Sequence, residues 1–171
     1  MITKELASIF ALHVYDERVD PINLPKVPTS WTRIDPNPLL PTITNGFAYG
    51  VFRNSGTGEI VISYRGTDGL LPGMLGADGA NNVALSQGLS SSQGQQAAKV
   101  YAEVLRTFGV DAQGSNISFT GHSLGGGLAS IMGVWFNRPA IVFDPAPFAA
   151  TAQSQERVDE MRTLLGAKEF V

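Results

Sequence analysis

Apolar residues recur every three to four positions over residues 3–15, where Leu6, Ile9, Phe10 and Val14 fall near one face. That spacing predicts a helix, with Thr3 as its N-cap. Residues 92–108 repeat the pattern more clearly. Ala97, Ala98, Val100, Tyr101, Val104, Leu105 and Phe108 keep a 3.6-residue period, and Gly109 stands where a C-terminal cap belongs. Residues 153–165 predict a further amphipathic helix, with Val158, Met161, Leu164 and Leu165 inward and Gly166 closing it. Between these stretches lie short apolar runs of strand length. Residues 47–52 and 59–64 flank Asn54-Ser55-Gly56-Thr57-Gly58, which is turn chemistry, so a hairpin follows. Its second strand is almost wholly apolar, which fits a strand covered on both faces. Residues 116–119 and 140–143 predict two more strands. Strand, helix, strand in succession implies parallel neighbours joined by right-handed crossovers.

Two stretches break the periodicity. Residues 20–45 hold six of the ten prolines: Pro21, Pro25, Pro28, Pro36, Pro38 and Pro41. No helix runs through that spacing, and the reading is a surface arm anchored by Trp31. Residues 68–92 are rich in glycine, with a short apolar patch from Leu70 to Leu75. They read as a loop.

Composition narrows the class. The 171 residues are 43% hydrophobic and 16% charged, enough for a single globular domain with a real core, residues 1–171. The net charge is −3 and the pI about 5.3, so nothing electrostatic favours nucleic acid. The chain has no cysteine, which excludes disulfides and thiolate chemistry. No apolar run reaches the length of a membrane span, and no signal peptide is visible at the start, so localisation stays unassigned. Two histidines far apart, without carboxylates at ligand spacing, make no metal site, and no cofactor motif is present.

The remaining strand leads into chemistry. Residues 116–119 are followed by Thr120-Gly121-His122-Ser123-Leu124-Gly125-Gly126-Gly127, and then by a helical run to about Trp135. Gly-x-Ser-x-Gly between a strand and a helix is the signature of a nucleophile elbow. The serine sits at a strained bend that lifts its hydroxyl clear of the backbone. Side chains two residues before and two after it would collide, which accounts for Gly121 and Gly125. The helix that begins there turns its free N–H groups toward any anion formed at the serine. The backbone N–H of Leu124, directly after the nucleophile, is one oxyanion donor.

Gly121-His122-Ser123-Leu124-Gly125-Gly126-Gly127-Leu128-Ala129-Ser130, with Tyr64-Arg65-Gly66-Thr67 upstream, resembles the class 3 (fungal-type) lipases of the α/β-hydrolase superfamily. The resemblance covers roughly residues 46–150. It implies a mostly parallel sheet with helices on both faces, incomplete at its C-terminus. It implies a serine ester hydrolase of lipase, phospholipase or esterase type, acting on a lipid or other ester. It assigns Thr67 to the oxyanion hole and makes residues 68–92 the lid segment, with a permanently packed covering loop as the alternative.

A serine nucleophile needs a base and an orienting acid. In this superfamily both follow the serine, yet no histidine follows Ser123. Three readings stand. The acid and base lie outside this chain, in a missing C-terminal segment or a second chain. Asp144 is the acid and His13 the base, against the usual order. Or the chain is an inactive relative that binds an acyl ligand or assembles with a protein partner. His122 is too close to Ser123 to serve as its base and is expected to pack beneath the elbow.

Overall fold

The computed structural model describes residues 2–15, 24–35, 47–65, 91–108 and 116–165. Five strands form one sheet in chain order: β1 (Trp31–Arg33), β2 (Ala48–Asn54), β3 (Ile60–Arg65), β4 (Ile117–His122) and β5 (Ala140–Phe143). β1, β2 and β3 pair antiparallel, whereas β3, β4 and β5 pair parallel. The helices are α1 (Lys4–His13), α2 (Ser91–Phe108), α3 (Leu124–Trp135), α4 (Ala149–Ala152) and α5 (Gln155–Leu165). The architecture is α/β, as the alternation of periods in the sequence predicts.

β3 is buried at five successive positions because helices cover both faces of the sheet. Ile60, Ile62 and Tyr64 join Phe119 and the inward residues of α2 and α3 in the larger core. Val61 points the other way and joins Phe10, Trp31 and Phe52 under α1. The hairpin register puts Phe52 opposite Val61 and Val51 opposite Ile62, so alternate residues feed the two cores. Its turn is the expected one. The Asn54 side chain accepts bonds from the Gly56 and Thr57 amides, and Gly58 takes φ 72.

α1 starts at the expected cap, where Thr3 Oγ1 accepts from the Leu6 N–H at 3.3 Å. It approaches the sheet through small residues. Ala7 and Ala11 are buried on its inner face, and Thr120 Oγ1 of β4 donates to the Ala7 carbonyl at 3.2 Å. Its C-terminal end is tied to the hairpin by a small polar network. Arg33 Nη1 donates to the His13 carbonyl at 2.9 Å, while its Nε and Nη2 hold the Asp35 carboxylate. Asp35 in turn accepts the Val51 N–H.

Two elements add to the expected plan. Residues 31–33 of the proline-rich arm form a strand, which the sequence reading did not assign. Trp31 is the anchor expected, 5.0 Å from the Phe10 ring, and its docking brings the following residues alongside β2. The helix expected over 153–165 is present as α5, and a short helix that the periodicity does not signal, α4, precedes it, the two meeting at Gln153–Ser154. Gln153 N–H turns back to the Ala149 carbonyl, and the Ser154 carbonyl opens the next helix by accepting from Val158. Residues 20–23 and 36–45 of the arm and almost all of the loop 68–92 lie outside the described residues, so neither the lid nor its alternative is placed.

Candidate active site

β4 runs straight into Ser123, which adopts φ 55 and ψ −123 before α3 begins. A non-glycine residue there costs on the order of 1–3 kcal/mol. The surroundings hold it. The Ser123 N–H donates to the Phe143 carbonyl of β5 at 3.0 Å. The Ser123 carbonyl accepts from Gly127 N–H at 3.0 Å and from Ala146 N–H at 2.9 Å.

The two flanking glycines are needed for a reason the motif alone does not reveal: the elbow is pressed onto the end of β3. A Cβ on Gly121 would meet the Gly125 backbone and stand 2.8 Å from the Tyr64 carbonyl oxygen. A Cβ on Gly125 would overlap the Tyr64 carbonyl and lie 3.1 Å from the carbonyl carbon of Arg65. Those obstacles are backbone and cannot rotate away. The close approach sets Ser123 beside the point where Arg65 leaves the sheet. Thr67, two residues further on, lies outside the described residues.

Leu124 is the first residue of α3 and is buried at 3% exposure. A first helical residue has no intrahelical acceptor for its N–H, and the helix dipole adds positive potential there. Gly125, Gly126 and Gly127 are all buried. Glycine inside a helix costs about 1 kcal/mol relative to alanine. Here it admits the backbone of neighbours, since a Cβ on Gly126 would sit 3.1 Å from Pro145 Cα. Behind the elbow, Tyr64 is fully buried and its hydroxyl donates to the Ala97 carbonyl at 3.0 Å. Burial holds that phenol well above its usual range, so it acts as a neutral structural donor.

Asp144 follows β5 directly. It is exposed and takes φ 41. Ser123, Leu124 and Asp144 therefore gather at the carboxyl ends of two neighbouring parallel strands. His13 is placed elsewhere. It closes α1, on the sheet face opposite α3, and its Nε2 is 2.7 Å from the Pro25 carbonyl. His122 corrects the expectation of a packing residue, because its side chain is exposed. It shares the sheet face of Ser118 and Thr120, which α1 covers, but stands at the strand's end.

The contribution of residues 143–146 was missed in sequence reasoning. Of that stretch the sequence singles out only Asp144, as the acid in one of the three readings. Among the described residues, no group of three or more His, Cys, Asp or Glu is arranged to hold a metal ion, and no helix is long and apolar enough to cross a membrane. A family model described as "Phospholipase-like: Tle-like phospholipase domain" matches residues 6–164. Comparison with curated proteins finds no match.

Proposed function

The chain belongs to the Tle-like phospholipase domain family, a lipid ester hydrolase type, and from that premise we propose that it cleaves a carboxylic ester of a phospholipid through an acyl-enzyme on Ser123. The observation that carries this is the serine's backbone: φ 55 between two glycines, each pressed against the end of β3. A binding surface has no use for that strain, whereas a nucleophile does.

In this reading Ser123 Oγ attacks the ester carbonyl and loses its proton to a base. The tetrahedral oxyanion receives hydrogen bonds from the Leu124 N–H and from Thr67. Each such donor is worth about 2.7–4 kcal/mol in the transition state. The leaving alcohol takes the proton back, and water then releases the fatty acid by the same path in reverse. The motifs continue to resemble those of class 3 lipases within this broader membership, and the overall plan is α/β-hydrolase-like. We assign the base to a histidine outside this chain. His13 is engaged with Pro25 on the far face, and His122 adjoins the serine. The acid is assigned outside the chain with it.

The test is labelling of the native protein with a fluorophosphonate, with the modified peptide assigned by mass spectrometry. Fatty-acid release from phosphatidylcholine vesicles is then measured for wild type and Ser123→Ala. The label is expected on Ser123, and the variant is expected to lose turnover by at least about 10³-fold. A protein that takes no label, and whose vesicle affinity survives Ser123→Ala, is instead a lipase-like binding or assembly domain.

A further inference from the structure

Two of the three non-glycine residues with positive φ among the described residues lie at the ends of adjacent strands, Ser123 after β4 and Asp144 after β5. The neighbours of Asp144 both grip Ser123. Phe143, before it, accepts the Ser123 N–H, and Ala146, two residues after it, donates to the Ser123 carbonyl. These two bonds fix the peptide planes on either side of one Cα. They thereby set both backbone torsions of the serine and the direction in which Oγ leaves. The grip is itself anchored. Ala146 is 6% exposed within the main core, Phe148 packs against that core, and Pro145 abuts Gly126. For the chain to pass from Phe143 to Ala146 with both groups facing Ser123, it turns at Asp144 with φ 41.

We propose that Asp144 is a positioning residue for the nucleophile. Its left-handed backbone lets Phe143 and Ala146 clasp the elbow, and its carboxylate takes no part. The proposal rests on Ser123 being the nucleophile, so its test carries one readout that needs no activity.

Asp144→Gly and Asp144→Asn keep left-handed geometry accessible, whereas Asp144→Ala disfavours it and Asp144→Val does so strongly. Fluorophosphonate labelling of Ser123 is expected to stay within about threefold of wild type for Gly and Asn, and to slow by about tenfold or more for Val. With ester substrate, kcat is expected to fall while KM holds, as for a residue that acts through the nucleophile and not on substrate binding. Amide exchange, read by mass spectrometry or NMR, is expected to accelerate about tenfold or more at Ser123 and Ala146 in the Val variant. Phe119 and Ile62 in the strand interiors keep wild-type protection. If Asp144→Val does not fold, Asp144→Ala carries the same comparison. Unchanged labelling and exchange in the variant that disfavours φ above zero overturn the proposal. So does an Asn variant as slow as Val, which makes Asp144 a charged catalytic group. A wild type that takes no label but shows selective exchange defeats the hydrolase reading and upholds the clasp.

Discussion

Gly125 has no room for a methyl group. The atoms in its way are the Tyr64 carbonyl and the carbonyl carbon of Arg65, both at the end of the sheet's central strand. Gly125→Ala must therefore push the elbow off β3. Overpacking of this kind costs about 1–3 kcal/mol, which lowers Tm by roughly 2–12 °C in a chain of this size. Calorimetry gives the first number. Labelling at Ser123 is expected to fall out of proportion to stability, because the displaced group is the elbow itself. At this scale the sequence was informative wherever only one residue type fits. Gly121, Ser123 and Gly125 announced themselves because nothing else satisfies a sharp strand-to-helix turn. Asp144 did not, since aspartate after a strand is ordinary and its φ depends on what Ser123 requires. His122 was misread for a related reason. Which face it takes follows from strand parity, but whether a helix reaches far enough to cover it does not.

Among the elements, α1 shows how a helix chosen by its own periodicity is fixed by others. Its cap and inner face were legible in residues 3–15. Its attachment was not, because Arg33 and Asp35 sit in a stretch whose prolines argue only against helix. Asp35 is 6% exposed at its side chain and Arg33 is 30% exposed, so the pair is partly screened and its own Coulomb energy is modest. The larger loss on Asp35→Ala comes from the Val51 N–H and the Arg33 guanidinium left without their acceptor. A cost of about 2 kcal/mol is expected, read as a lower urea midpoint with an unchanged m-value. A cost near zero would mean that solvent replaces the carboxylate and that the network does not hold α1. β1 and the short helix α4 were missed on the same physical ground. A three-residue strand is made by its partner β2, and a four-residue helix is a single turn held by local hydrogen bonds; neither is long enough to leave a periodic trace.

For the molecule as a whole, the order of strands and helices and the parallel half of the sheet were readable, because each strand–helix–strand unit constrains its own topology. That the sheet splits its apolar residues between two cores follows from β3 being buried on both faces. One consequence is a weakness toward alkali. Tyr49 lies in the main core, and burial, with the nearby Asp35 carboxylate, pushes its phenol from 10.0 up to about 12. Tyr64 is shifted in the same direction. An unfolded chain gives up the Tyr49 proton near pH 10, while the folded chain keeps it to about pH 12. In that window the folded state holds more protons, so stability declines as pH rises. Below pH 10 the contribution is fully present. Thermal melts from pH 8 to 12 are expected to show the decline, and Tyr49→Phe to flatten part of it. A wild-type profile level through that range would contradict the assignment of the buried phenol.

The bond from Thr120 to the Ala7 carbonyl joins residues 113 positions apart. On a ribosome adding about 5–20 residues per second, that distance is roughly 6–23 seconds of synthesis. For that interval α1 exists without the strand it will rest on, its alanine and phenylalanine face open to other apolar surfaces. The hairpin arrives much sooner. Phe52, stacked at 4.4 Å on Phe10, and Trp31 give the helix a first shelter before β4 is made. The arm that carries Trp31 thus has a consequence during synthesis as well as in the finished fold: it can cover the apolar face of α1 before the strand that leads to the serine emerges.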